Sequence, residues 1–282
     1  MNVEIASMAG FCMGVKNVVQ TLENLLEKGV KVCTLGPIIH NPKVIENFKE
    51  RGVLVINKAS EYDFDFTMII RSHGVTKNEL RYIKDKGFKY VDGTCPFVKK
   101  IHSIVSKYSV GKKYLLIAGN ENHPEVKGIR SYFTGDSFIF KNIHELKNIA
   151  KNNSKLKGSP ILAVSQTTHD AADWQECSGF ISKEFLNAEV FNTICNTTRL
   201  RQEEAKALSK KSDLMIVIGG KESSNTFKLY NICSQNAPTV WMEDSSEIKN
   251  INFKKYKNIG IVAGASTPSS EINKVYDKIC IL

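Results

Sequence analysis

Asp92-Gly93-Thr94-Cys95-Pro96-Phe97-Val98 is the stretch from which the rest of the chain can be read. An apolar, strand-like run (Phe88 to Val91) ends there in an Asp-Gly turn, and a cysteine stands just before a proline suited to open a helix. A structural cysteine belongs inside such a run more often than at its mouth. One instance decides little, because free cysteine is commonly a small core hydrophobe. The arrangement, however, occurs three times. The other copies are Gly10-Phe11-Cys12-Met13-Gly14-Val15 and Thr193-Ile194-Cys195-Asn196-Thr197-Thr198, each after a short β-like run and before a helical pattern.

The spacing beyond the cysteines repeats as well. Twenty-eight positions after Cys12, Cys95 and Cys195 stand His40, His123 and Ser223, each in a glycine-containing loop that follows an apolar run. A second polar loop follows in each third of the chain: Ser72-His73-Gly74, Ser165-Gln166-Thr167 and Gly264-Ala265-Ser266. A fixed internal spacing marks a repeated structural unit. The expectation is three related α/β units (residues 1–91, 92–190 and 191–282), each giving one cysteine and two polar loops to a shared centre.

Periodicity supplies the elements. Val15, Val18, Val19, Leu22 and Leu26 recur at helical spacing and stop at Lys28-Gly29. Continuous apolar runs at 31–35, 67–71, 114–118, 161–164, 214–218 and 259–262 read as strands. They alternate with helical patterns at 42–51, 77–86, 97–108, 199–210, 224–234 and 269–279, among others. Fully apolar strands separated by helices imply parallel sheets covered on both faces. In such sheets ligands sit outside the carboxyl ends of the strands, where all the polar loops fall.

Composition bounds the rest. At 282 residues, with 42% hydrophobic and 24% charged residues, the chain reads as an ordinary globular protein. No apolar run reaches about 18 residues, and Met1-Asn2-Val3-Glu4-Ile5 lacks the features of a signal peptide, so a cytoplasmic protein without membrane partners is expected. Seven cysteines, an odd number, argue against a disulfide framework. Cys33, Cys177, Cys233 and Cys280 fall inside regular elements or near the terminus and read as packing residues. The formal charge of +10 favours acidic partners. The lysines are scattered and form no nucleic-acid module, so no nucleic-acid partner is expected.

Three thiols are one short of a closed tetrahedral zinc or iron–sulfur site, and suit an open one. Without a C-x-x-C pair, spacing alone leaves independent core cysteines as the competing reading. His40, His73 and His123 stand in strand-end loops, whereas His102 and His144 lie on helical patterns and His169 starts one, so these three are set aside. Glu125, in the first turn after His123-Pro124, reads either as a helix-dipole partner or as a proton donor. Thr167 reads as an N-cap or a proton relay. Ser223-Ser224-Asn225 and Ser266 can cap helices or hold an anion at a helix N-terminus. No G-x-x-x-x-G-K-[ST] or G-x-G-x-x-G motif is present.

These motifs together (GFCMGV, IIHNP, RSHGV, DGTCPFV, NHPEVKG, SQTT, TICNTT, KESSN and GAS) run from Gly10 to Ser266, and the chain resembles the 4-hydroxy-3-methylbut-2-enyl diphosphate reductase (LytB) family. One departure is Thr197, where relatives commonly carry alanine. The resemblance implies a pseudo-threefold trefoil of α/β units around a [4Fe-4S] cluster on Cys12, Cys95 and Cys195, with one iron open to the substrate hydroxyl. It implies diphosphate-binding positions at His40, His73, His123, Ser223, Ser224, Asn225 and Ser266. It also implies a proton donor at Glu125 and a substrate-hydroxyl contact at Thr167. The activity implied is two-electron reductive dehydroxylation to isopentenyl and dimethylallyl diphosphate, with electrons from a ferredoxin or flavodoxin. A zinc-dependent hydrolase on the same thiols and a basic RNA- or phosphometabolite-binding module are the competing classes.

Overall fold

The structure is a computed structural model that describes residues 1–281. Among the described residues twelve strands form three four-stranded sheets, and the strand pairs are parallel. One sheet has the order β3 (Leu54–Ile56), β2 (Val32–Leu35), β4 (Thr67–Ile70), β5 (Tyr90–Asp92). A second has β7 (Asp136–Phe140), β6 (Tyr114–Ala118), β8 (Ile161–Ser165), β9 (Ala188–Val190). The third has β11 (Thr239–Met242), β10 (Leu214–Ile218), β12 (Asn258–Ala263), β1 (Asn2–Ile5). The three orders are the same pattern, which is the repeat seen in the sequence.

The pattern corrects how that repeat is divided. The N-terminal strand, expected with residues 1–91, pairs with β12 in the register Val3↔Ile259. Each sheet is therefore completed by the strand that leads into a cysteine: β1 into Cys12, β5 into Cys95 and β9 into Cys195. Each cysteine thus stands beside the second polar loop of the sheet its own strand completes. Backbone hydrogen bonds fix this grouping. The amide of Cys12 donates to the Ala265 carbonyl (3.1 Å), that of Cys95 to Ser72 (3.0 Å) and that of Cys195 to Thr167 (3.0 Å).

The chain divides into two compact units. One comprises Met1–Lys16, Ile39–Phe48 and the chain from Asn196 onward, and holds the sheet closed by β1. The other comprises Asn17–Ile38 and Lys49–Cys195, and holds the other two sheets. The central strands β6, β8 and β10 are buried along their whole length, which is why their sequences are unbroken apolar runs. In the first unit, Ile216, Ile261, Phe253 and Val275 lie at the heart of the core. In the second, Leu116, Phe140, Trp174 and Phe185 pack on one face of the β6–β8 sheet, and Leu115, Val126, Ile129 and Val164 on the other. At about 25 cal/mol per Å² of apolar area, each such side chain contributes roughly 1.5–3 kcal/mol.

The helices that matter for the site start where sequence logic places them. Helix α4 (Pro96–Tyr108) has proline in its first turn, as does α5 (Pro124–Ser131), where the missing N–H costs nothing. Two expectations shift. The helix after Thr167, α7 (Ala171–Glu184), is capped by Asp170, so neither Thr167 nor His169 begins it. Ser266 precedes α10 (Ser269–Ile281) by three residues and is not its cap. Among the described residues no helix is long and apolar enough to cross a membrane.

Candidate functional site

The three repeated cysteines share one local environment. Each follows a strand end by a few residues and stands immediately before a helix: α1 (Met13–Glu27), α4 and α8 (Asn196–Ser209). All three are half-buried, with Lys16 and Lys99 amides already donating back to the Cys12 and Cys95 carbonyls to start the first turn. The four remaining cysteines differ. Burial pushes the Cys33 thiol up to about 11, and those of Cys177 and Cys233 up to about 12, while Cys280 is exposed. Packing accounts for the three buried ones, as expected.

In the second unit a continuous series of contacts runs from Cys95 to Cys195. The Ser72 carbonyl that accepts from Cys95 lies next to His73, whose ring meets that of His123 edge to face at 5.2 Å between centroids. His123 is the N-cap of α5, its Nδ1 accepting from the Glu125 amide at 3.2 Å. Glu125 is 2% exposed and turns its carboxylate to the end of β8. There Oε1 accepts from the Thr167 amide (2.6 Å) and Oε2 from the Thr167 hydroxyl (2.9 Å). The Thr167 carbonyl in turn holds the Cys195 amide.

Glu125 is therefore more than a helix-dipole partner. Burial raises its pKa to about 7, against the lowering effect of the two Thr167 hydrogen bonds. A carboxyl poised near neutrality beside a hydroxyl can hold and hand on a proton. His123, itself buried, can orient that carboxyl through its amide.

The first unit gathers the other predicted positions. Ser223 is the N-cap of α9 (Ser224–Ser234), its Oγ accepting from the Thr226 amide at 3.2 Å. Asn225 in the first turn is 4% exposed, and its Nδ2 has no hydrogen-bond partner among the described residues. A buried amide donor in that condition at a helix N-terminus fits an anion. Asn41 Nδ2 donates to the Ser266 carbonyl at 3.0 Å, linking the loop after β2 to the loop after β12. The backbone of His40 passes close to Gly220, whose Cα leaves no room for a side chain (a Cβ would stand 2.8 Å from the His40 carbonyl oxygen).

One residue of this framework escapes sequence reasoning. Arg201, 5% exposed on α8, donates to the carbonyls of Ala263 (3.0 Å) and Gly10 (2.5 Å) and so ties β12 to the loop before Cys12. An arginine inside the buried stripe Thr198, Arg201, Gln202, Ala205, Leu208 was the available signal.

The sequence model of the LytB protein family matches residues 3–280. The chain belongs to the LytB protein family. A 4-hydroxy-3-methylbut-2-enyl diphosphate reductase of Clostridioides difficile (strain 630) is 42% identical to this LytB protein over 98% of both chains. A reductase of the same name from Caldanaerobacter subterraneus subsp. tengcongensis is 40% identical over 99% of this chain and 96% of the relative. Among solved structures, one described as (E)-4-hydroxy-3-methyl-but-2-enyl diphosphate reductase, the terminal enzyme of the non-mevalonate pathway, is 36% identical with a TM-score of 0.71, covering all of both chains. The Plasmodium falciparum E-1-hydroxy-2-methyl-but-2-enyl-4-diphosphate reductase is 26% identical with a TM-score of 0.88, over 98% of this chain and 87% of that one. This LytB protein thus shares its sheets and their connections with diphosphate reductases along its whole length.

Proposed function

We propose that this LytB protein reduces 4-hydroxy-3-methylbut-2-enyl diphosphate to isopentenyl and dimethylallyl diphosphate. The reaction consumes two electrons and two protons, breaks the allylic C–O bond and releases the oxygen as water. The observation that carries the reading is the buried Glu125–Thr167 pair, a carboxyl with a pKa near 7 bonded to a hydroxyl whose own backbone anchors a repeated cysteine. Full-length similarity to reductases of that name supports it.

Cys12, Cys95 and Cys195 are the residues that would hold a [4Fe-4S] cluster. The donor set fits: three half-buried thiols at helix N-termini, each with its amide committed to a neighbouring loop, one thiol short of a closed site. When bound, the cluster supplies single electrons and a Lewis-acidic iron. The protein's own residues do the rest. Glu125 holds a proton at its carboxyl and passes it through the Thr167 hydroxyl to the departing oxygen. Ser223, Ser224, Asn225 and Ser266 of one unit, with His40, His73 and His123, bind the diphosphate, the first three at the α9 N-terminus. The near-complete burial of Glu125 keeps bulk water from competing for its proton.

The +10 charge suits an acidic one-electron donor such as a ferredoxin or flavodoxin. Seven cysteines, an odd number, suit a reducing cytoplasm. The test is direct. Anaerobically purified protein, supplied with dithionite-reduced viologen and the substrate, yields the two five-carbon diphosphates by mass spectrometry. Unreacted substrate over iron-loaded protein overturns the proposal.

A further inference from the structure

His102, which neither the cluster nor the diphosphate reading uses, stands behind the Cys95 loop. It lies on the buried stripe of α4 with Val98, Ile101 and Val105 and is 7% exposed. One face of its ring stacks on Tyr132, 4.3 Å between centroids with the planes 19° apart. Two glycines make room for the ring edge. A Cβ on Gly74 would stand 3.1 Å from its Cε1, and a Cβ on Gly128 would stand 3.1 Å from its Nε2.

Those glycines belong to different parts of the machinery. Gly74 closes the Ser72-His73-Gly74 loop at φ +75°, and its Cβ position is also 3.1 Å from the Thr94 methyl, next to Cys95. Gly128 lies in α5, the helix that opens with His123 and Glu125. Its carbonyl accepts from Ser131 Oγ at 2.6 Å, and that oxygen accepts from the Lys77 amide at 2.9 Å, so α5 is fastened to the start of α3 (Lys77–Asp85). The His73 loop and α5 therefore meet at one imidazole, and the Thr94–Cys95 turn packs on that loop at Gly74 and shares the cavity beside the ring.

Stability does not explain the ring. Nε2 has no hydrogen-bond partner among the described residues, and burial holds the imidazole neutral with a pKa of about 4. A buried polar atom without a partner is unfavourable, and an apolar side chain of similar size would fill the space without that penalty. A cavity of about 230 Å³, lined by Ile70, Thr94, His102 and Tyr132 among others, lies alongside. The ring is held by glycine contacts on one edge and has open volume to move into.

We infer that His102 is a positioning residue: its ring is the spacer that fixes the Ser72–Gly74 loop and the Thr94–Cys95 turn against α5. It thereby sets where His73, His123 and Glu125 stand relative to Cys95. The roles of those groups rest on the reductase reading, but the packing does not.

Gly128→Ala tests this from the helix side, and His102→Gln from the ring side. A methyl at Gly128 would stand 3.1 Å from Nε2, so the ring must give way, and the cavity beside it lets it do so without overpacking the core. The displaced ring then frees the loop. Both anaerobically purified variants are expected to keep the parent's iron content, visible spectrum and melting temperature. Their kcat/KM should fall about 10- to 100-fold, with most of the loss in kcat, the scale expected for a displaced catalytic group. Parent kcat and KM in Gly128→Ala overturn the inference. So does a loss of activity that runs in step with lost iron or lowered melting temperature in both variants, because the ring would then only hold the fold. A parent protein without iron sinks the reductase reading instead. The spacer role is then read from the His73 and His123 imidazole resonances, which Gly128→Ala must still shift and whose constancy would overturn it.

Discussion

Replacing Glu125 by glutamine probes the site through both stability and turnover. The carboxyl is 2% exposed, and its pKa is raised from 4.5 to about 7, chiefly by burial. The folded state therefore binds this proton more tightly than the unfolded chain does. The associated stability is fully present below about pH 4.5 and is lost as pH rises through 7. The full displacement corresponds to about 3 kcal/mol, of which about 2–3 kcal/mol is lost between pH 5 and pH 8. Glutamine has the same shape and does not titrate. It can still accept from the Thr167 amide and can donate to the Thr167 hydroxyl, so the hydrogen bonds now at 2.6 and 2.9 Å have replacements. Anaerobic denaturant unfolding of parent and variant at the two pH values isolates the effect. The variant should gain on the parent by about 2–3 kcal/mol on going from pH 5 to pH 8. Turnover should fall at least about 100-fold while iron is retained. Unfolding curves that shift in parallel with pH, or full turnover in the variant, would refute the assignment of Glu125 as a buried acid that gives up a proton.

Thr167→Val removes the hydroxyl from the relay and one of the bonds that lower the Glu125 pKa. The Glu125 pKa should rise further, moving the alkaline limb of kcat upward, while kcat itself falls about 10- to 100-fold in steady-state assays. Ser223→Ala removes the α9 N-cap, with a loss of about 1 kcal/mol in denaturant unfolding and a raised KM for the diphosphate substrate. Arg201→Met leaves the Ala263 and Gly10 carbonyls without their buried donor. It should cost roughly 2–4 kcal/mol and loosen the Cys12 loop, read as faster loss of iron to a chelator.

The strands were legible where burial is complete on both faces. The runs 114–118 and 214–218 coincide with the strands Tyr114–Ala118 and Leu214–Ile218. Strand β9, Ala188-Glu189-Val190, was not delineated, because three half-buried residues with a charge in the middle carry neither an apolar run nor a full alternation. Strand β5 began two residues later than its apolar run suggested. Pairing was the harder matter. That β1 completes a sheet whose other strands lie more than 200 residues away is a tertiary choice with no local signal. The 28-residue spacing therefore revealed the repeat but not which cysteine goes with which loops.

In the site, residue types in loops were informative and those on helices were not. Ser223 opens α9 as its neighbours suggested, and Glu125 stands in the first turn of α5. The carboxyl's partner, 42 positions away at Thr167, followed from resemblance rather than from spacing. His102 and Arg201 fall within helical patterns that single out neither, yet both are buried polar groups at the junction of several loops. A charged or titratable residue inside an apolar helical stripe is the signal worth keeping.

The account depends on Cys12, Cys95 and Cys195 acting as one ligand set, so the most direct measurement is iron and sulfide content of anaerobically purified single Cys→Ser variants. Replacing any of these three should abolish the visible absorption and most of the bound iron, whereas replacing Cys33, Cys177 or Cys233 should leave both at the parent level. Undiminished iron in a Cys12, Cys95 or Cys195 variant, or zinc in place of iron in the parent, would contradict it.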